Sequence, residues 1–160
     1  MEIREAKSND FEAIWNIFHQ VVAKGDTYVF SPDISKEEAR SVWMTPIVKT
    51  YVASNGDLIV GTYILKPNQP GLGSHVANAA FMVDSLAQGR GIGKTMGKHA
   101  LNEARRLGYQ AMQFNFVVST NMNAVALWQK LGFQIIGTLP KVFQHKQLGL
   151  VDAYVMHRFL

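Results

Sequence analysis

The residues best suited to chemistry in this 160-residue sequence are Gln88 to Gly93 (QGRGIG), with Lys94 and Thr95 directly behind them. An apolar run, Val76 to Val83, leads in, and an amphipathic pattern, Ile92 to Leu107, leads out, so three glycines fall where a strand passes into a helix. A helix start leaves backbone N–H groups without intrahelical acceptors, and glycines let an anion come close to that backbone. The positive end of the helix dipole strengthens the attraction. The chemistry implied is phosphate binding. Arg90, Lys94 and Lys98, at four-residue spacing, read either as further phosphate contacts or as a solvated face.

Spacing narrows the ligand. A Walker A loop needs glycine five residues before the glycine of Gly-Lys-Thr; Gly93, Lys94 and Thr95 fit, but the required position holds Gln88. A dinucleotide fingerprint begun at Gly89 requires glycine at Lys94, and begun at Gly91 requires it at Met96. Both nucleotide readings fail. The pattern that fits is Gln/Arg-x-x-Gly-x-Gly/Ala, met by Gln88, Gly91 and Gly93.

The elements that must hold this loop follow from periodicity and caps. Ile3 to Ala6 alternate as an opening strand, and Ser8, Asn9 and Asp10 offer caps to a helix whose buried side is Phe11, Ile14, Trp15, Phe18 and Val22. Ser35 and Glu38 form a capping box for a second helix ending near Met44. The loop between them carries Tyr28 and Phe30, either packed or lining a pocket. Val48–Ser54 and Leu58–Leu65, joined at Asn55-Gly56, read as a hairpin. Ala111–Val118 reads as a strand, Met122–Leu131 as a helix closed by Gly132, and Gln134–Thr138 and Val151–Phe159 as the last strands. Lys66–Ser74 and Lys141–Gly149 read as loops. The order β-α-α-β-β-β-α-β-α-β-β argues an α/β sandwich around a mixed sheet.

Bulk properties set limits. The length suits one domain over residues 1–160, and 48% hydrophobic content is that of a globular protein. The net charge of +4 comes from dispersed basic residues, so an anionic ligand fits and nucleic acid is not required. No cysteine is present, which removes disulfides, thiolate metal sites and a thiol nucleophile. The N-terminus has no apolar signal core, and no stretch approaches the roughly 20 apolar residues of a membrane span, so a cytoplasmic protein is expected, with no membrane partner.

The loop motif resembles that of the GNAT superfamily of acyl-CoA-dependent N-acetyltransferases, in which it holds the coenzyme A pyrophosphate. A second stretch, Asn121 to Phe133 (NMNAVALWQKLGF), matches the family at Asn121, Ala124, Leu127, Gly132 and Phe133. The resemblance implies a GNAT-like acyltransferase fold, a mixed and mostly antiparallel sheet flanked by helices, with acetyl-CoA as cosubstrate. It implies coenzyme contacts from Gln88, Gly89, Arg90, Gly91, Ile92, Gly93, Lys94 and Thr95. Phe81, Met82 and Val83 would pair through their backbone with the pantetheine arm and offer an N–H to the developing oxyanion. Asn121 and Trp128 would lie beside that arm. Trp128 stands where many members carry a tyrosine thought to protonate the leaving thiolate, and an indole N–H is a hydrogen-bond donor but not a useful acid.

The C-terminal half is further similar to acetyltransferases of azetidine-2-carboxylate and related proline analogues, through Asn78 to Val83 (NAAFMV), Thr120-Asn121, Leu127-Trp128 and Val151-Asp152-Ala153. That likeness implies catalytic roles for Asn78 and Asn121, orienting the amine and carboxylate of a small amino acid. Direct attack of a neutral amine in a ternary complex agrees with the absence of cysteine. The base is not evident: His75, His145 and Asp152 are outside candidates, and Asp84 reads as a turn residue. The expectation is a small-molecule N-acetyltransferase, with a protein or peptide N-acetyltransferase and a non-catalytic acyl-CoA sensor as alternatives. Edge pairing suggests a homodimer.

Overall fold

A computed structural model describes all residues, 1–160. Its sheet has seven strands: β1 (Glu2–Glu5), β2 (Lys49–Asn55), β3 (Leu58–Pro67), β4 (Val76–Val83), β5 (Ala111–Val118), β6 (Gln134–His145) and β7 (Gly149–Phe159). The strand order is β1-β2-β3-β4-β5-β7-β6. Every neighbouring pair is antiparallel except β4 and β5, so the mixed, mostly antiparallel sheet expected from the sequence is observed.

Each face of the sheet is covered by two helices. On one side α1 (Phe11–Ala23) and α2 (Lys36–Trp43) bury Phe11, Ile14, Ile17, Phe18 and Trp43 against Val52, Ile64 and Met82. Ile17 joins the buried stripe, while Trp15 is only partly covered. The α2 capping box is present, with Glu38 N–H donating to Ser35 Oγ at 3.1 Å and Ser35 N–H donating to the Glu38 carboxylate at 2.8 Å. Asp10 does not cap α1. Its carboxylate instead accepts from Arg4 and from Lys7 N–H, which tie β1 to the helix start and hold the carboxyl below its usual range.

On the other side lie α3 (Ile92–Arg106) and α4 (Met122–Lys130). They approach closely because Gly97 has no side chain: a Cβ there would fall 2.6 Å from Leu131 Cδ1 and 3.1 Å from Trp128 Cζ3. This contact seats the Trp128 ring against Phe81 and Phe114, with centroids 4.8 Å away in each case.

A further sequence expectation is corrected. Lys141–Gly149 is not a loop throughout, since β6 continues to His145 and pairs with β7 as far as Gly149. A shift of register between Leu139 and Phe143, where Pro140 lacks an N–H and Lys141 takes φ 51°, breaks the period-two pattern that would have revealed the strand. No helix is long and apolar enough to cross a membrane.

Beneath α2 the Trp43 indole N–H donates to Thr62 Oγ1 at 3.0 Å, and the Thr62 hydroxyl donates to Tyr51 C=O at 2.9 Å. Thr62 is fully buried. Thr62→Val preserves the shape but leaves the indole N–H without an acceptor, and is expected to lower stability by about 1–3 kcal/mol. Denaturant unfolding of the two proteins provides the measurement, with equal stability as the contrary result.

Candidate functional site

The site begins where the sheet opens. β4 and β5 pair only at Val76–Ala111 and Ala77–Met112, after which they diverge. On its other edge β4 stays paired with β3 as far as Val83. The bond from Asp84 N–H to Val60 C=O fixes the alternation along that ladder. Asn78, Ala80 and Met82 therefore bond to β3, while Ala79, Phe81 and Val83 aim their N–H and C=O groups across the gap. Backbone groups so placed need partners. At Phe81 the partner is Tyr28 from the α1–α2 loop: its hydroxyl accepts from Phe81 N–H at 3.0 Å and donates to Phe81 C=O at 2.7 Å. Burial raises the Tyr28 pKa far above the usual phenol value, against a smaller opposing effect of the Phe81 bond, so the hydroxyl stays neutral.

At the end of β4 the chain turns through Ser85–Ala87 into the glycine loop, with Asp84 accepting from Leu86 N–H at 2.8 Å as a turn residue. Gly89 and Gly91 both have φ 77°, a left-handed conformation that L side chains rarely adopt, and a Cβ on either would meet nothing within 4 Å. No backbone carbonyl accepts from the N–H groups of Gln88 through Lys94; the first satisfied is Thr95, which donates to Gly91 C=O at 3.0 Å. This open run of donors at the start of a 15-residue helix is a cradle for a phosphate group.

The cradle and the strand gap belong to one cavity of about 650 Å³. Its polar lining includes Lys24, Asp26 and Thr27 of the interhelical loop, Lys66 of β3, Asn78 of β4 and Asn115 of β5. Asp26 is the sole carboxylate on the wall. Side-chain amides join these strands: Asn78 Nδ2 donates to Gln113 C=O at 3.1 Å and to Asn68 Oδ1 at 3.3 Å, and Asn115 Nδ2 donates to Asn68 Oδ1 at 2.7 Å. The Asn78 Nδ2 hydrogens are thereby used, leaving its Oδ1 to accept from a ligand. Asn121, across the gap, accepts from Ala124 N–H at 3.4 Å as the α4 cap, while its Nδ2 group is uncommitted. No cluster of His, Asp or Glu is arranged to hold a metal ion.

A phosphate cradle running into a splayed strand pair describes an architecture shared with known proteins. The profile of the acetyltransferase (GNAT) family matches residues 8–133. The chain belongs to the GNAT family of acetyltransferases. A GCN5-related N-acetyltransferase from Kribbella flavida superposes with a TM-score of 0.95 at 45% identity, over 99% of this chain and 97% of that one. The N-acetyltransferase aca1 of Schizosaccharomyces pombe is 35% identical over 98 residues, 61% of this chain, and this chain spans 47% of its length. The L-amino acid N-acetyltransferase AaaT of Escherichia coli is 27% identical over 162 residues, 98% of this chain and 96% of that protein.

In this GNAT chain the structure brings together most of the residues singled out by sequence. Gln88, Gly89, Gly91, Ile92, Gly93, Phe81, Met82, Val83, Asn78, Asn121 and Trp128 all line the cavity. Arg90, Lys94 and Thr95 do not; the first two are exposed, and the Thr95 hydroxyl donates back to Gly91 C=O at 3.2 Å. The three outside base candidates are elsewhere. His75 is exposed, His145 Nδ1 accepts from Gln147 and Leu148 N–H at 3.1 Å each, and Asp152 accepts from Lys141 N–H at 2.9 Å. Sequence reasoning missed Lys24, Asp26 and Lys66. The only signal was the polar loop Gly25-Asp26-Thr27 ahead of Tyr28, whose fit against β4 no local pattern encodes.

Gly91→Val is expected to weaken binding of acetyl-CoA by at least tenfold, because φ 77° is costly for a β-branched residue and the cradle must distort. Titration calorimetry reads this effect; unchanged affinity would separate the loop from the ligand.

Proposed function

We propose that the enzyme transfers the acetyl group of acetyl-CoA to the amine of a small amino acid or analogue, by direct attack in a ternary complex. The observation that carries this reading is that one cavity takes in the phosphate cradle, the free backbone edge of β4 and the polar side chains of Lys24, Asp26, Lys66 and Asn78. Acetyl-CoA supplies the activated acetyl group. The N–H groups of Gln88 to Lys94 hold its pyrophosphate, and Phe81 and Val83 present backbone to the pantetheine arm; the pairing expected of Met82 is corrected, because its backbone groups face β3. Asn121 and Trp128 wall the opposite side.

At the acceptor end the charges complement an amino acid. Lys66 takes part in no ion pair and is half-buried beside Asn78, its register partner across the β3–β4 ladder. An acceptor carboxylate toward Lys66 and an amine toward Asn78 Oδ1 would satisfy both. This refines the role given to Asn78 by resemblance, since its committed Nδ2 group cannot also bind the carboxylate. Asp26, the one carboxylate among the lining residues, would take the proton of the amine, directly or through water. Phe81 N–H is the donor for the developing oxyanion, and holding both reactants in one cavity lowers the barrier by proximity. The 26–30 loop, bonded to β4 through Tyr28, lines the same cavity. The likeness to an L-amino acid N-acetyltransferase and to the proline-analogue branch supports the same acceptor class.

The test is thiol release from acetyl-CoA against amino acids, proline analogues, amino acid amides and peptides. Turnover is expected with free amino acids; turnover with peptides alone would overturn the substrate class. Asn78→Ala should lower kcat at least tenfold with acetyl-CoA affinity unchanged, and full activity would remove Asn78 from the mechanism. Lys66→Gln should raise KM roughly tenfold for a free amino acid and leave its amide unaffected, because only the former offers a charge to pair; an equal effect on both would remove the carboxylate contact.

A further inference from the structure

The Tyr28–Phe81 contact uses the groups that donor binding requires. Phe81 N–H and C=O face the strand gap with no opposite strand, and one phenol hydroxyl satisfies both at 3.0 and 2.7 Å. Tyr28 lies 53 residues earlier in the chain and reaches β4 from the loop between α1 and α2. It is held there by aromatic packing: its ring stacks on Phe30 at 6.1 Å, and Phe30 packs on the buried Phe18 of α1 at 5.2 Å. The contact is therefore anchored in the core of the α1/α2 face.

A single N–H directed along one line serves one good acceptor at a time. Given the reading above, in which the thioester carbonyl and the pantetheine arm bond to β4 at this point, Tyr28 and the donor cannot both hold Phe81. We propose that Tyr28 is a positioning residue that occupies the donor's backbone anchor in the unloaded enzyme and is displaced when acetyl-CoA binds. The hydroxyl keeps the two strand groups satisfied while the gap is otherwise empty, and its departure exposes them for the donor.

Tyr28→Phe retains the ring and its stacking while deleting the hydroxyl. With the competing bonds gone, acetyl-CoA is expected to bind roughly fivefold more tightly to the variant, the effect of about one net hydrogen bond. Melting of the unliganded variant should be lowered, and the difference from the native protein should vanish at saturating acetyl-CoA, because the hydroxyl no longer holds Phe81 in the complex. A residue with a merely structural role would lower both melting points alike and could not tighten binding. Acetyl-CoA binding to the native protein, with equal or weaker affinity in Tyr28→Phe, overturns this proposal and leaves the donor cleft intact. Failure of both proteins to bind acetyl-CoA overturns the donor-cleft reading and this proposal with it.

Discussion

The separation of β4 from β5 after Ala77 is the constraint on which the remaining structure depends. In a continuous sheet the outward N–H and C=O groups of Ala79, Phe81 and Val83 would be consumed by a neighbouring strand. Here they are left over, and a left-over backbone group in a partly buried gap must find a partner or be costly. The fold arranges for that partner to be exchangeable. β3 fixes the other edge of β4 along its length, so the strand stays straight and ordered while one side remains available. Gly97 lets α4 approach α3, Trp128 closes the floor against Phe81 and Phe114, and the helix that follows the strand brings its free N–H groups to the mouth of the same gap.

Under the proposed function the cleft uses two kinds of polar recognition. Its donor side would be built from backbone: a strand edge and a helix start. Backbone recognition tolerates side-chain variety, which explains why the loop is recognisable chiefly by its glycines. The proposed acceptor side would be built from side chains drawn from five segments, namely the α1 end and its loop, β3, β4, β5 and the β3–β4 connection that supplies Asn68. The amide bonds among Asn68, Asn78, Gln113 and Asn115 fix the orientation of Asn78, and with it which of its atoms can meet a ligand.

This difference decides what could be read from the sequence. The glycine loop, the capping box at Ser35 and the apolar run of β4 are local, and each was legible because a specific backbone geometry demands those residue types. The extension of β6 was not, because the irregular register around Pro140 and Lys141 erases strand periodicity. Asp26 and Lys66 were not either. They reach one cavity only through the fit of the interhelical loop over the sheet, 40 residues apart in the chain and with no pattern linking them. Tyr28 was visible as an aromatic in a polar loop, but its bonds to Phe81 belong to tertiary structure alone.

The most direct test of the account is residue-resolved amide hydrogen exchange with and without acetyl-CoA. If the strand gap and the helix start together hold the donor, the N–H groups of Val83 and of Gln88 to Lys94, which have no backbone carbonyl acceptor in the unliganded protein, become protected on binding. Acetyl-CoA binding that protects amides elsewhere and leaves those groups exchanging as before would contradict the assignment of the cleft.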